Sequence, residues 1–284
     1  MAGPALPRPP ELSLLLPTLG KGRLETVLSQ VAALELLAKL EVVVLAPPEV
    51  ELPVGPEGLR LRRYDWKPED GLSLGISLCQ GQWVVRADDH SYPGPGWAAA
   101  LLREMGTAGA GMLAPRILPW NDRLLVSQVD YALNFTHPWA WHNNAYPRDY
   151  LLAQPDLESL LQVESLLQER VRAQGLECRL CIDAVLYHRQ LESWTHWAAT
   201  LIYAGRLYGG HTLKPAWGLL RLLALPWVGW LRSRSLWVAR SMPQRIAIFV
   251  GILMHLLGES WGSLMGPGCA GLVNLRHQLD SWRG

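Results

Sequence analysis

The sequence predicts an α/β domain built on a parallel sheet, followed by an apolar, basic helical tail. Three observations carry this. Leu12 to Leu16 (LSLLL) and Val42 to Leu45 are continuous apolar runs of strand length with a helical pattern between them. Strands buried on both faces of a parallel sheet read in this way. The stretch GQWVVRADDHSYPGPGW, from Gly81 to Trp97, runs from the apolar Trp83–Ala87 into Asp88, Asp89 and His90, and then into turn-forming Pro93, Gly94 and Pro95. Two carboxylates and an imidazole therefore sit where a buried strand leaves a sheet, the edge at which open α/β sheets bind ligands. Finally, the last third of the chain is basic and rich in tryptophan.

A chain of 284 residues can bury one large core or two smaller ones. Hydrophobic residues make up 49% and charged ones 18%, with 14 Trp against 2 Phe. That composition is apolar for a purely soluble enzyme, and Trp favours membrane interfaces. The net charge of +1 hides an asymmetry. From Tyr203 onward nine basic residues face only Glu259 and Asp280, leaving 17 basic against 23 acidic before it. An acidic front and a basic back do not describe a nucleic-acid binder; they describe a soluble domain followed by a membrane-surface segment. Cys178 and Cys181 form a lone C-x-x-C with no second pair at zinc spacing, so the four cysteines read as ordinary reduced thiols. Leu12 to Leu16 is too short, and too closely preceded by prolines, to be a signal sequence.

Taken in order, residues 1–10 are Pro-rich and expected to be disordered. After the first strand, Leu24, Val27, Leu28, Val31 and Leu34 mark one helix face. Leu59 to Arg62 is a weaker third strand, Gly71 to Gln80 a short helix, and Trp83 to Ala87 the central strand. Pro95 to Met105 reads as helix, Gly111 to Leu118 as strand, and Trp139 to Arg148 (WAWHNNAYPR) as an aromatic, polar loop suited to gripping a sugar. Asp156 to Gln174 is expected to be one helix, capped by Asp156, with Leu157, Leu160, Leu161, Leu167 and Val171 on its apolar face. Glu164 interrupts that face. An inward carboxylate is costly unless paired or used, and burial raises its pKa towards that of a working base. The alternative is a surface ion pair with Arg170 or Arg172. Cys178 to Tyr187 reads as a strand ending at His188, and Glu192 to Gly209 as a Trp-rich helix. Beyond it, Trp217–Leu231 and Ile246–Gly258 are apolar but short of the ~20 residues of a membrane span. They suit helices lying in the interface.

The strand ending in Asp88-Asp89-His90, with Pro95-Gly96-Trp97 after it, resembles the metal-binding acidic stretch of family-2 glycosyltransferases, whose third position can be His in a related mucin-type family. Pro17-Thr18 resembles that family's turn after strand one, and Gly75 and Gly81 fall at its small-residue positions. Val163-Glu164, Leu167 and Arg170 resemble its catalytic stretch, and Asp183-Ala184-Val185 with Tyr187-His188-Arg189 is close to the run found in bacterial exopolysaccharide transferases. The resemblance covers about residues 12–208.

It implies the GT-A fold, a Rossmann-like mixed sheet flanked by helices, over residues 11–208, with a nucleotide-binding half at 11–118, an acceptor half at 119–208 and the tail at 209–284. It implies an inverting, metal-dependent transfer from a nucleotide-diphosphate sugar to a glycan, and the basic tail adds a lipid-linked acceptor at the cytoplasmic face of a membrane. Asp88, His90 and His188 would hold Mn²⁺ or Mg²⁺. Pro17, Thr18, Asp88 and Asp89 would contact the nucleotide sugar, Glu164 would act as base, and Asn144 and Arg148 would meet the acceptor. Ala46 stands where the family has an Asp after strand two, and Val163 where it has a Glu. Those departures keep open a degenerate sugar-nucleotide or glycan-binding domain. The Asp and His set keeps open a metal-dependent hydrolase.

Overall fold

The computed structural model describes residues 9–20, 24–34, 36–53, 55, 57–135, 143–238 and 240–268. The expected disorder of residues 1–8, the Trp139–His142 part of the aromatic loop, Cys269 and the final stretch of the tail lie outside the described residues.

The first strands are those the apolar runs predict. β1 (Leu12–Pro17) and β2 (Leu40–Ala46) are buried along their whole length, joined by α1 (Leu24–Ala32), which buries Leu24, Val27, Leu28 and Val31. β3 (Arg60–Asp65) follows, then α2 (Ser73–Leu78) and β4 (Trp83–Arg86). β1 pairs in parallel with β2 and β4, and β2 with β3. Gly75 lets α2 lie on the sheet, since an added Cβ would come within 2.6 Å of Leu15 Cδ1. Gly81 allows a close backbone approach, since its Cβ would meet Ser13 N at 2.6 Å.

The start of this sheet is fastened by a buried carboxylate that the sequence pattern does not single out. Glu41, beside Ser13 in the β1–β2 register, is 1% exposed. It accepts from Ser13 Oγ at 2.5 Å, Gly81 N at 3.2 Å, Arg62 Nη1 at 3.3 Å and the Gln80 amide. Four donors on one carboxylate close the loop between α2 and β4 onto β1.

Beyond β4 the sheet becomes mixed. β5 (Ser91–Pro93) is a short strand in the stretch expected to be only a turn, followed by α3 (Trp97–Met105), β6 (Ala110–Pro119) and α4 (Leu125–Asn134). β7 (Ala145–Pro147) runs antiparallel to β4 and β6. After α5 (Arg148–Leu152), the helix expected over 156–174 is two, α6 (Leu157–Gln162) and α7 (Glu164–Ala173), interrupted at Val163. Its five apolar positions are all buried, as is Glu164. Asp156 grips the Arg170 guanidinium, at 2.9 Å through Nη2. β8 (Glu177–His188) completes an eight-stranded sheet ordered β3-β2-β1-β4-β7-β6-β8-β5.

The chain packs as two compact units. The first holds β1 to β5, α1 to α3, β7 and α5 around the core just described. The second gathers α4 with α8 (Trp194–Thr212), α9 (Pro215–Leu223), α10 (Leu225–Ser233) and α11 (Met242–Met265). Its core includes Val126, Val129, Trp197, Leu201, Ile248, Ile252 and Leu256. Within it α11 lies along α8. α11 is also longer than the apolar pattern suggests. Its 24 residues are long and apolar enough to cross a membrane by length and composition, although 44% of its most apolar window is buried in the protein.

Candidate metal and nucleotide-sugar site

Parallel pairing sets the site. The register Leu15↔Arg86 brings the ends of β1 and β4 to one edge of the sheet, and Ala87 N continues the ladder to Leu15 O at 2.8 Å. Thr18 therefore comes out beside Asp89, and its hydroxyl donates to Asp89 Oδ2 at 2.6 Å. Thr18 Oγ1 in turn accepts from Gly20 N at 3.0 Å. Both side chains have no exposed surface. The other Asp89 oxygen, Oδ1, lies 3.2 Å from His90 Nδ1. Asp89 thus braces Thr18 and His90, and in this conformation it presents no surface to a ribose.

Antiparallel pairing supplies a residue that the sequence reading passed over. With Val85 opposite Ala145, the residues before β7 arrive at the end of β4. Asn143 holds Asp88 there, donating from Nδ2 to Oδ2 and accepting the Asp88 amide on Oδ1, each at 3.2 Å. Its backbone is left-handed, with φ of 62°, a conformation that Asn tolerates better than most side chains. The Asn143-Asn144 doublet was the available signal for this contact. Asn144 is fully buried and so cannot touch an acceptor in this conformation.

The same pairing places Arg148. Trp83 lies opposite Pro147, and Arg148 N donates to Gln82 O at 2.8 Å. Arg148 is therefore at the start of β4, six residues and on the order of 20 Å along the strand from Asp88. Its backbone does not face the acidic stretch.

His188 is the last residue of β8, whose neighbour in the sheet is β5, directly after His90. Gly94 N bonds Val185 O at 2.9 Å and ties the two segments together. The His188 ring stacks obliquely on Phe135, with centroids 4.5 Å apart. Asp88, His90 and His188 each offer one ligand atom, and these atoms lie within 4.8 Å of one another. All three residues are at most 9% exposed. One carboxylate and two imidazoles form a mixed oxygen and nitrogen donor set suited to a divalent ion such as Mn²⁺. A carboxylate on one ring nitrogen is how metal-binding histidines are commonly oriented, and Asp89 stands in that relation to His90. The donor set therefore fits the expected metal.

Glu164 is the first residue of α7, 6% exposed, so the inward carboxylate expected from the apolar face is present. Arg170, one arginine considered as its partner, is instead held by Asp156, which raises the guanidinium's pKa further. Pro17 is buried at the end of β1. The cysteines behave as the spacing predicts. Burial, aided by Glu41, pushes Cys79 up to about 12, and burial with Glu104 pushes Cys181 up to about 11. Neither is a thiolate at neutral pH.

No family model matches the chain, and no curated protein does. Solved structures do. A mannosyltransferase from Pyrobaculum calidifontis, in complex with GDP-Man and Mn²⁺, superposes with a TM-score of 0.55 at 15% identity, over 91% of this chain and 88% of that one. Staphylococcus aureus TarS 1–349 with UDP-GlcNAc gives a TM-score of 0.50 at 12% identity, over 96% and 89%. The same fragment with UDP gives 0.50 at 14%. The chain has the GT-A glycosyltransferase fold.

Proposed function

We propose that the chain is a metal-dependent, inverting glycosyltransferase that moves a sugar from a nucleotide-diphosphate sugar to a glycan or lipid-linked acceptor at the cytoplasmic face of a membrane. The observation that carries this reading is the buried Asp88, His90 and His188 set at the edge of a GT-A sheet. Mn²⁺ accompanies GDP-Man in the Pyrobaculum mannosyltransferase, and TarS takes UDP-GlcNAc, which supports a nucleotide sugar as donor and a metal beside its diphosphate.

In this mechanism Asp88, His90 and His188 would hold the ion. Bound there, it supplies charge neutralisation for the diphosphate leaving group. Asn143 fixes Asp88, and Asp89, steadied by Thr18, fixes His90. The nucleotide meets the Pro17–Thr18 turn. Glu164 takes the proton from the acceptor hydroxyl as its oxygen attacks the anomeric carbon in line, and the bond to the diphosphate breaks.

Binding of a nucleotide-sugar panel, followed by thermal shift with and without Mn²⁺, tests the reading. One donor should stabilise the protein only with metal, and Asp88→Asn and His90→Ala should lose that shift. Glu164→Gln should keep donor binding and lose turnover. No stabilisation by any donor in a folded protein would overturn the donor assignment, and full turnover in Glu164→Gln would overturn the base.

A further inference from the structure

α9 and α10 break the usual rule for short helices, which is to hide one face. In α9 only Gly218 is buried, and Trp217, Leu219, Leu220, Leu222 and Leu223 all face solvent. α10 exposes Trp227, Trp230 and Leu231. Sixteen of the 24 exposed large hydrophobic side chains of the described residues lie between Trp217 and Met265. A patch of this kind marks a partner.

Its charge says which partner. Between Ser193 and Gly268 the sequence has seven Lys and Arg residues and one acid, Glu259. That acid is 1% exposed. It is enclosed by Arg221, by Arg232 at 2.7 Å and by His255 Nδ1 at 3.1 Å. The one negative charge between Ser193 and Gly268 is thus turned inward, and the described residues of this segment present only positive charge, with Lys214 and Arg234 exposed and Arg240 and Arg245 partly so. A second copy docking by this face would set cation against cation. An anionic bilayer would meet both features, with Trp and aliphatic side chains entering the interface and cations meeting the headgroups.

We propose that α9, α10 and the exposed side of α11 form a docking surface for an anionic lipid bilayer, on which the protein lies. α9 and α10 have nine residues each, about 14 Å of helix, too short to span a core of about 30 Å. α11 is held against α8, α9 and α10 and carries the buried Glu259, so it backs the surface and does not leave it. The inference deepens the proposed lipid-linked acceptor, but the docking stands on this surface alone.

Flotation of the full chain with lipid vesicles, in the absence of donor, tests it. The parent protein should float with vesicles containing phosphatidylglycerol, bind pure phosphatidylcholine more weakly, and release at high salt. Lys214→Gln and Arg234→Gln should each lower partitioning onto the anionic vesicles about fivefold. Trp217→Ser with Trp227→Ser should lower it on both vesicle types. These side chains are exposed, and an unchanged circular dichroism spectrum checks each variant. Asp88→Asn should float as the parent does, which separates a failure of docking from a failure of the transferase reading. No flotation, equal binding to neutral and anionic vesicles, or a stable dimer in sedimentation that Trp217→Ser dissolves would each overturn the proposal.

Discussion

The packing of α8 on α11 rests on glycines, and its strength can be worked from the backbone. Gly205 and Gly209 on α8 face Gly258 and Gly262 on α11. A Cβ added at Gly205, Gly209, Gly258 or Gly262 would overlap the carbonyl oxygen of His255, Glu259, Ile202 or Arg206, respectively. At Gly209 the new carbon would also sit 2.6 Å from Glu259 Cα. Carbons settle at about 3.5 Å or more, so Gly209→Ala must part the helices by about 1 Å. No flexible side chain is there to yield. Overpacking of this kind costs about 1–3 kcal/mol, and rigid backbone on both sides places it at the upper end. Alanine's better helix propensity returns about 1 kcal/mol, leaving a loss of about 2 kcal/mol. Urea unfolding followed by circular dichroism measures this. Gly262→Ala should cost a similar amount, and the double variant less than the two together, because helices already parted accept the second methyl. Gly106→Ala is the control, since its added carbon meets nothing nearer than Arg103 O at 3.9 Å. A Gly209→Ala protein as stable as the parent would refute the reasoning.

Other expectations follow from the same contacts. Glu41→Ala leaves Ser13 Oγ and the Gln80 and Gly81 amides without their buried acceptor and should cost about 3 kcal/mol in the same assay; a cost under about 1 kcal/mol would sink that account. Asp89→Asn, which weakens the brace on His90, and Asn143→Gly, which keeps the left-handed backbone but drops both bonds to Asp88, should each lower Mn²⁺ affinity about 10–100-fold by calorimetry; unchanged affinity would show that neither positions a ligand. Burial, then Arg232 and Arg221, lowers His255 from 6.5 to about 4. The unfolded chain therefore binds a proton near pH 6.5 that the folded chain refuses until about pH 4, and stability falls as pH falls through that window. With the ring about a third exposed, solvent screening holds the effect to about 1–2 kcal/mol. His255→Asn should flatten that part of the melting curve between pH 6.5 and 4, and an identical slope would contradict it.

Much of the fold was legible because it rests on local patterns that tertiary packing did not override. β1, α1 and β2 are apolar at strand and helix periods, and they form where those periods put them. The apolar face across residues 157–171 is likewise buried as read, but the break at Val163 was not visible, because the apolar spacing continues across it. α4 carries a buried face of Val126, Val129 and Ala132, yet the aromatic loop beside it drew the reading away. β5 and β7 are three residues each, too short for any period, and they exist through pairing with distant strands.

The site shows where a linear reading stops. The acidic stretch was found because a strand ending in carboxylates is a local event. Which carboxylate does what is not local. Asp88 and Asp89 are adjacent and chemically identical, but β1 lies on one side of β4 and β7 on the other. Thr18, reached through β1, takes Asp89 inward, and Asn143, reached through β7, takes Asp88. The two acids are sorted from either side of β4, by Thr18, 71 residues before Asp89, and by Asn143, 55 residues after Asp88. Arg148 shows the same effect. It is only five residues from Asn143, but those residues form an extended strand, and an extended strand carries its two ends to opposite edges of the sheet. A motif in a loop keeps its residues together, whereas the same motif drawn out into a strand separates them.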